Sequence, residues 1–321
     1  MTAPSTSPTQ TIPVLSLRDL THGTPAQRAA FVQGMGDALV DIGFFALTDH
    51  GVPDQLIADS YARAQEFFAL PLQTRLKYEK AELRGQRGYT SFGREHAKDS
   101  DAPDLKEFWH VGRDRAGLSH PGAVPYDNLW PSELPSFRAA MSQLFASLDA
   151  CAGQLLGACA EYMGESPDFL TGLADSGDTV LRVIHYPPVP ADRHPASVRA
   201  AAHEDINLIT LLCEATAGGL ELLQRDGSWR PVHALQGQIV VDAGDMLQHL
   251  SNGWFKATTH RVVNPDDSRD QRFSMPFFVH PRGDADLTPR PGCIARTGGQ
   301  PRFANRTAGQ YLAQRLAEIG L

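Results

Sequence analysis

The sequence predicts a mainly β chain with helices: a helical N-terminal region with early strands, a run of short antiparallel strands, and a closing helix. Three observations support this. Phe31, Met35 and Leu39 recur at helical spacing in the first half. After about residue 178 the texture changes to short apolar runs broken by turn residues, as in an antiparallel sandwich or barrel. No GxGxxG, phosphate loop or internal repeat breaks this order.

In order along the chain, "IPVLSL" (12–17) reads as an early strand. "TPAQ" then starts a helix, with Thr24 as N-cap, Pro25 at the first helical position and Gln27 completing a capping box. "GFFALTDHGVP" (43–53) reads as strand and turn, with His50 a turn residue. A second helix runs from near Asp54 to Pro71, and a long one from Ser136 to Met163 ends at Gly164. Between them, residues 80–130 are rich in Gly, Asp, Pro and Arg and read as a long surface loop, a usual place for binding functions. Strands are expected in 181–186, 207–213, 219–225, 228–232, 238–242, 257–263 and 272–279, with "RDGS" as a hairpin turn. Asp245 is expected to organise a turn, and His249 to end a strand away from any metal. A final amphipathic helix spans about Arg306 to Ile319. The expected organisation is one domain, 1–321, with an N-terminal helical region (12–120), a β core (178–285) and a C-terminal helix (300–321).

With 321 residues, 42% of them hydrophobic, the chain is long enough to bury a core that shelters a dry pocket. Its net charge of −8 argues against a general nucleic-acid binder, which needs a basic surface. "MTAPSTSPTQT" is polar, unlike a signal peptide, and no apolar run approaches the ~18 residues of a membrane span. The four cysteines form no CxxC pair, and Cys151 and Cys159 share a helical stripe with Leu144, Leu148 and Leu155. The expectation is a cytoplasmic protein with free thiols and neither nucleic acid nor membrane as partner.

The stretch "AAHEDINLITLL" (201–212) places His203 and Asp205, both costly to desolvate, where a buried strand begins. Two apart on a strand, they converge on one point, and His260 in "KATTHRVVNP" is the candidate third ligand. Two imidazoles and one carboxylate leave one face of a metal open, as in non-haem Fe(II) sites. Taken alone, the pair reads first as a satisfied histidine beside a loop aspartate, and zinc would accept the same ligands. Downstream, Arg272 and Ser274 in "RFSMPFFV" also share a face. A guanidinium fork with a neighbouring hydroxyl suits a carboxylate, whereas a buried unpaired arginine is expensive.

The order His203-x-Asp205, His260, Arg272-x-Ser274 resembles the Fe(II)/2-oxoglutarate dioxygenase superfamily, and within it the isopenicillin N synthase-like branch with its plant flavonoid and hormone oxidases and the ethylene-forming enzyme. "GFFALTDHGVP", "HYPPVP", "GDMLQHLSNG" and "THRVVNP" extend the similarity over most of the chain. The resemblance implies a distorted jelly roll flanked by helices, with Fe(2+), 2-oxoglutarate and O2 as cofactor and co-substrates. It implies His203, Asp205 and His260 as iron ligands, Arg272 and Ser274 on the distal carboxylate of 2-oxoglutarate, and Tyr186 hydrogen-bonded to that co-substrate. Plant members commonly read Asn-Tyr-Tyr-Pro-Pro where this chain has Ile184-His185-Tyr186, so the asparagine contact is absent. The implied reaction is hydroxylation or desaturation of a small organic molecule, with an aromatic or flavonoid-like compound favoured. Phe278 and Arg182 are candidates for the substrate pocket, and Phe108 and Trp109 for a lid. The alternatives are an oxidase acting without 2-oxoglutarate, like isopenicillin N synthase, and a non-catalytic jelly-roll metal binder.

Overall fold

The structure, a computed structural model, describes residues 12–95, 104–114, 126–189, 197–213, 215–232, 237–263 and 270–318. The chain opens with β1 (Val14–Ser16), α1 (Leu17–Thr21), α2 (Pro25–Asp41), β2 (Phe44–Thr48), α3 (Asp54–Phe68) and α4 (Leu72–Arg75). Two strands, β3 (Gly88–Thr90) and β4 (Glu107–Gly112), precede α5 (Pro135–Met163) and α6 (Asp168–Ala174). Six strands follow: β5 (Val180–Tyr186), β6 (Ala200–His203), β7 (Ile209–Cys213), β8 (Leu220–Leu223), β9 (Trp229–Pro231) and β10 (Ile239–Ala243). The chain continues with α7 (Asp245–Leu250), β11 (His260–Val262), β12 (Arg272–Val279), α8 (Pro291–Arg296) and α9 (Ala308–Glu318).

The strands form two sheets, the halves of a distorted jelly roll. The larger has the order β1-β2-β10-β7-β12-β5-β4-β3, and the smaller β6-β11-β8-β9. Phe44, Ala46 and Val240 of the larger sheet pack against Leu220, Leu222 and Val232 on the smaller side. The outer face of the larger sheet is covered by α5, whose Met141, Leu144, Leu148, Leu155 and Cys159 are buried at helical spacing. That helix ends where Gly164 turns left-handed, at φ 80°, a conformation costly for any residue with a Cβ. All four cysteines are free and buried. Among the described residues no helix is long and apolar enough to cross a membrane.

The capping box at Thr24 forms as the sequence predicts, and β12 occupies 272–279 as expected. Residues 80–130 depart from the expected loop: β3 and β4 lie there and extend the larger sheet beyond β5. The alternation in "LKEFWHVG" is short and flanked by turn formers, so the segment reads as part of the loop. His249 and Asp245 lie on α7 rather than at a strand end and a turn, and the strand expected over 12–17 yields to α1 after Ser16.

Candidate active site

His203 ends β6 and His260 begins β11, and the two are direct cross-strand partners in the smaller sheet. Asp205 is not on the strand with His203, contrary to the sequence expectation. It sits in the link from β6 to β7, where the chain passes from the smaller sheet to the larger. Its backbone carbonyl accepts from the Asp245 N–H at 2.7 Å. Beside it, Gly244 passes so close to Asn207 that a Cβ there would meet backbone oxygen at 2.3 Å.

Each histidine Nε2 lies 3.7 Å from Asp205 Oδ1, and the three ligand atoms fall within 4.8 Å of one another. Both Nδ1 atoms face carbonyls, His203 to Ala201 O at 2.7 Å and His260 to Thr258 O at 3.1 Å. Each Nδ1 therefore carries the proton and each Nε2 presents a lone pair towards Asp205, the arrangement a metal requires. Burial, then the neighbouring His260, pushes the His203 pKa down to about 4, so its imidazole is neutral near pH 7. The Thr210 hydroxyl donates to Asp205 Oδ2, orienting the other carboxylate oxygen. Burial and the charge of Asp205 push the adjacent Asp242 carboxyl well above the usual range.

Behind this triad lies an inner cavity of about 70 Å³. Alternation along β12 sends Phe273, Met275, Phe277 and Val279 into the helical core and lines the cavity with Arg272, Ser274, Pro276 and Phe278. Arg272, 2% exposed, donates from Nε to Ala217 O at 3.0 Å. Its Nη1 is buried without a hydrogen-bond partner among the described residues. Its guanidinium carbon lies 4.8 Å from the ring centre of Tyr186, its cross-strand neighbour on β5. A buried cation with unused donors is stable only if something anionic completes it. A carboxylate fits that gap, and three ligands with a free face fit ferrous iron. His185 takes no part: it faces the core, beside Glu107 Oε1 at 2.8 Å and stacked on Phe273.

A larger cavity of about 410 Å³ adjoins the inner one. His203, Asp205, Lys106, Arg182 and Phe278 line both and so form the neck between them. Arg182 is clamped there. Its Nε donates to His110 Nε2 at 2.6 Å, its Nη1 pairs with Glu95, and its guanidinium carbon lies 4.3 Å from the Phe108 ring centre and 5.3 Å from that of Phe278. Phe108 and Trp109 are adjacent on β4, not in a lid loop, and point to opposite faces. Phe108 backs Arg182, whereas Trp109 is buried in the core among Phe67, Tyr78 and Phe137, away from both cavities.

Comparison with known proteins bears on this arrangement. Residues 12–133 match the family described as non-haem dioxygenase in morphine synthesis N-terminal, and residues 177–281 match the 2OG-Fe(II) oxygenase superfamily. A proline hydroxylase, buaE of Petromyces alliaceus, is 30% identical over 95% of this chain and 98% of its own. The chain belongs to the 2OG-Fe(II) oxygenase superfamily. A 2OG-Fe(II) oxygenase family protein from Caulobacter crescentus superposes on this oxygenase with a TM-score of 0.82 at 38% identity, covering 97% of this chain and 99% of the other. A Neurospora crassa protein, solved in complex with alpha-KG and thymine, superposes at 0.85 with 28% identity and 98% of both chains covered. The oxygenase is thus a non-haem iron enzyme using Fe(II), 2-oxoglutarate and O2 on a small organic substrate.

Sequence reasoning missed Glu95, Asp104, Lys106, His110 and His280, all of which line the outer cavity. A signal for two of them was present. Lys106, Phe108 and His110 alternate at period two, and reading "LKEFWHVG" as a strand would have put all three on one face.

Proposed function

We propose that His203, Asp205 and His260 are the iron ligands of this oxygenase and that Arg272, with Ser274 beside it, holds the distal carboxylate of 2-oxoglutarate. Tyr186 fixes the Arg272 guanidinium by stacking and offers its hydroxyl to the co-substrate. The primary substrate, an aromatic molecule, occupies the outer cavity against Phe278 and Arg182, with Phe108 behind. One observation carries this reading: the possible ligand triad stands at the neck between two cavities, and the inner one holds a buried guanidinium with an unused donor.

When bound, ferrous iron with 2-oxoglutarate and O2 supplies the oxidising chemistry, giving succinate, CO2 and a hydroxylated or desaturated product. The chain's own residues position and shield. The two Nδ1–H···O=C bonds and the Thr210 hydroxyl hold the ligand atoms. The inner cavity admits a dicarboxylate in one direction only, with one end towards Arg272. Phe44, Ile184 and Leu212 keep it dry, which strengthens the pairing with Arg272. The proposal extends to a single-domain, cytoplasmic enzyme without nucleic-acid or membrane partners. The four reduced thiols and the acidic charge support it.

The test is anaerobic titration of Fe(II)-loaded protein with 2-oxoglutarate, followed by the visible metal-to-ligand charge-transfer band, in wild type and in His203→Ala. Wild type is expected to develop the band and, once air is admitted, to release succinate. His203→Ala forming the band with wild-type affinity would overturn the ligand assignment.

A further inference from the structure

Four charges, Asp104, Lys106, Glu95 and Arg182, form one chain along the neck and outer cavity. The Lys106 ammonium lies 2.7 Å from Glu95 Oε2 and 2.8 Å from Asp104 Oδ2, and Arg182 Nη1 lies 3.2 Å from the same Glu95 oxygen. Glu95, Asp104 and Lys106 are each less than a tenth exposed. Asp104 Oδ1 also accepts the Ala201 N–H at 3.0 Å, tying the chain of charges to the strand that carries His203. Two acids and two bases cancel. The terminal His110 is neutral, because burial and Arg182 hold its pKa well below the usual value.

The rest of the described wall is less evenly paired. Asp178 faces the field of the buried Arg87, and Arg315, which enters from α9, lies 3.5 Å from Asp245 beside Glu204. His280 is also neutral, its pKa lowered by burial to about 4, with Nδ1 turned to Phe278 O at 3.3 Å. Among the described residues, therefore, the quartet beside Phe278 is internally paired, while Arg315 is shared between Asp245 and Glu204 on the far wall and Asp205 belongs to the ligand triad. Beside Phe278 a ligand with a net charge would be desolvated without a fixed partner, which is costly. Hydrogen-bonding capacity remains: the Lys106 ammonium has three N–H groups and two carboxylate partners, and the Arg182 fork has an amino group not engaged by His110 or Glu95. Phe278, partly exposed at the neck, supplies an apolar ring face.

We infer that the outer cavity selects a small, net-neutral, planar substrate that lies on Phe278 and accepts hydrogen bonds from Lys106 and Arg182. Free carboxylic acids and cations of the same shape are rejected. This inference rests on the reading of the site as an Fe(II)/2-oxoglutarate centre and deepens it. Lys106 and Glu95 act as specificity-determining residues through the charge balance they maintain.

The test uses three probes of one shape and different charge: benzamide, benzoate and benzamidine. Each is titrated into the anaerobic Fe(II)–2-oxoglutarate complex of the full chain, and its dissociation constant is read from the perturbed charge-transfer band. Wild type is expected to bind benzamide about tenfold or more tightly than either charged probe. Glu95→Gln leaves the quartet with a net positive charge and should tighten benzoate about tenfold, whereas Lys106→Met leaves it negative and should do the same for benzamidine. Opposite shifts in two variants that both retain the band cannot come from a general loss of structure. Benzoate binding best in wild type, an unchanged ranking in both variants, or no response to any probe would each overturn the inference. If the band never forms in wild type, before any probe is added, the reading of the iron centre fails instead.

Discussion

Replacing Arg272 by methionine should move stability and co-substrate binding in opposite directions. The guanidinium is 2% exposed and, among the described residues, has one backbone acceptor, one aromatic neighbour and an Nη1 with no partner. Arg272→Met keeps the apolar stem and deletes the charge. It loses a charge-assisted hydrogen bond of about 1.5–3 kcal/mol and a cation–π contact of about 1–2 kcal/mol. It also removes the desolvation penalty of an unpaired buried ion, which is several kcal/mol. The metal-free variant should therefore be as stable as wild type or more stable by about 1–2 kcal/mol. Binding behaves differently. Truncating one partner of a buried, hydrogen-bonded charge pair costs about 2–5 kcal/mol, so 2-oxoglutarate affinity should fall at least about thirtyfold. Urea denaturation of the apo forms gives the first quantity and the charge-transfer titration the second. A variant destabilised by more than about 2 kcal/mol that still binds 2-oxoglutarate like wild type would show that Arg272 is a structural ion and not the carboxylate receptor.

Other outcomes follow from the same geometry. Thr210→Val removes the hydroxyl that donates to Asp205 Oδ2 and accepts from the buried Asn207 Nδ2 at 2.9 Å; it should weaken Fe(II) binding about tenfold or more, measured by competition with a chelator, and cost about 1–3 kcal/mol of apo stability in urea denaturation. Trp109→Ala should cost about 3–5 kcal/mol in urea denaturation while the folded fraction keeps its 2-oxoglutarate affinity, because the indole packs in the core and touches neither cavity. The apo protein should lose stability as pH falls below about 6.5. His110 and His280 have folded pKa values below the ordinary one, so the unfolded chain takes up protons first. Their contribution is complete above the unfolded value and lost beneath it, by about 1.4 kcal/mol per group at pH 5.5. A denaturation midpoint flat between pH 7 and 5.5 would contradict the burial of these two rings as neutral species.

The sequence by itself singled out the candidates for the chemistry. His203, Asp205, His260 and Arg272 stood out as residue types expensive to bury in apolar surroundings, and their order, with Ser274, carried the resemblance that suggests their proposed roles. The parity of β12 was equally readable, since alternation needs only the local backbone, and it correctly placed Phe278 with Arg272 and Ser274. The long helices were legible for the same reason: capping and 3.6-residue spacing are local.

Only the tertiary structure decided where these groups meet. His203 and Asp205 converge across a passage between two sheets rather than along one strand, and their fixity comes from Ala201, Thr210 and Asp245. The outer wall was invisible in the sequence because its members come from β4 and its flanks, β5, the end of β12 and α9. A charge such as Lys106 reads as an ordinary solvated residue until the fold sets Glu95 and Asp104 against it. Local propensity is encoded residue by residue. The partner of a buried charge is set by long-range contacts that no short window of sequence contains.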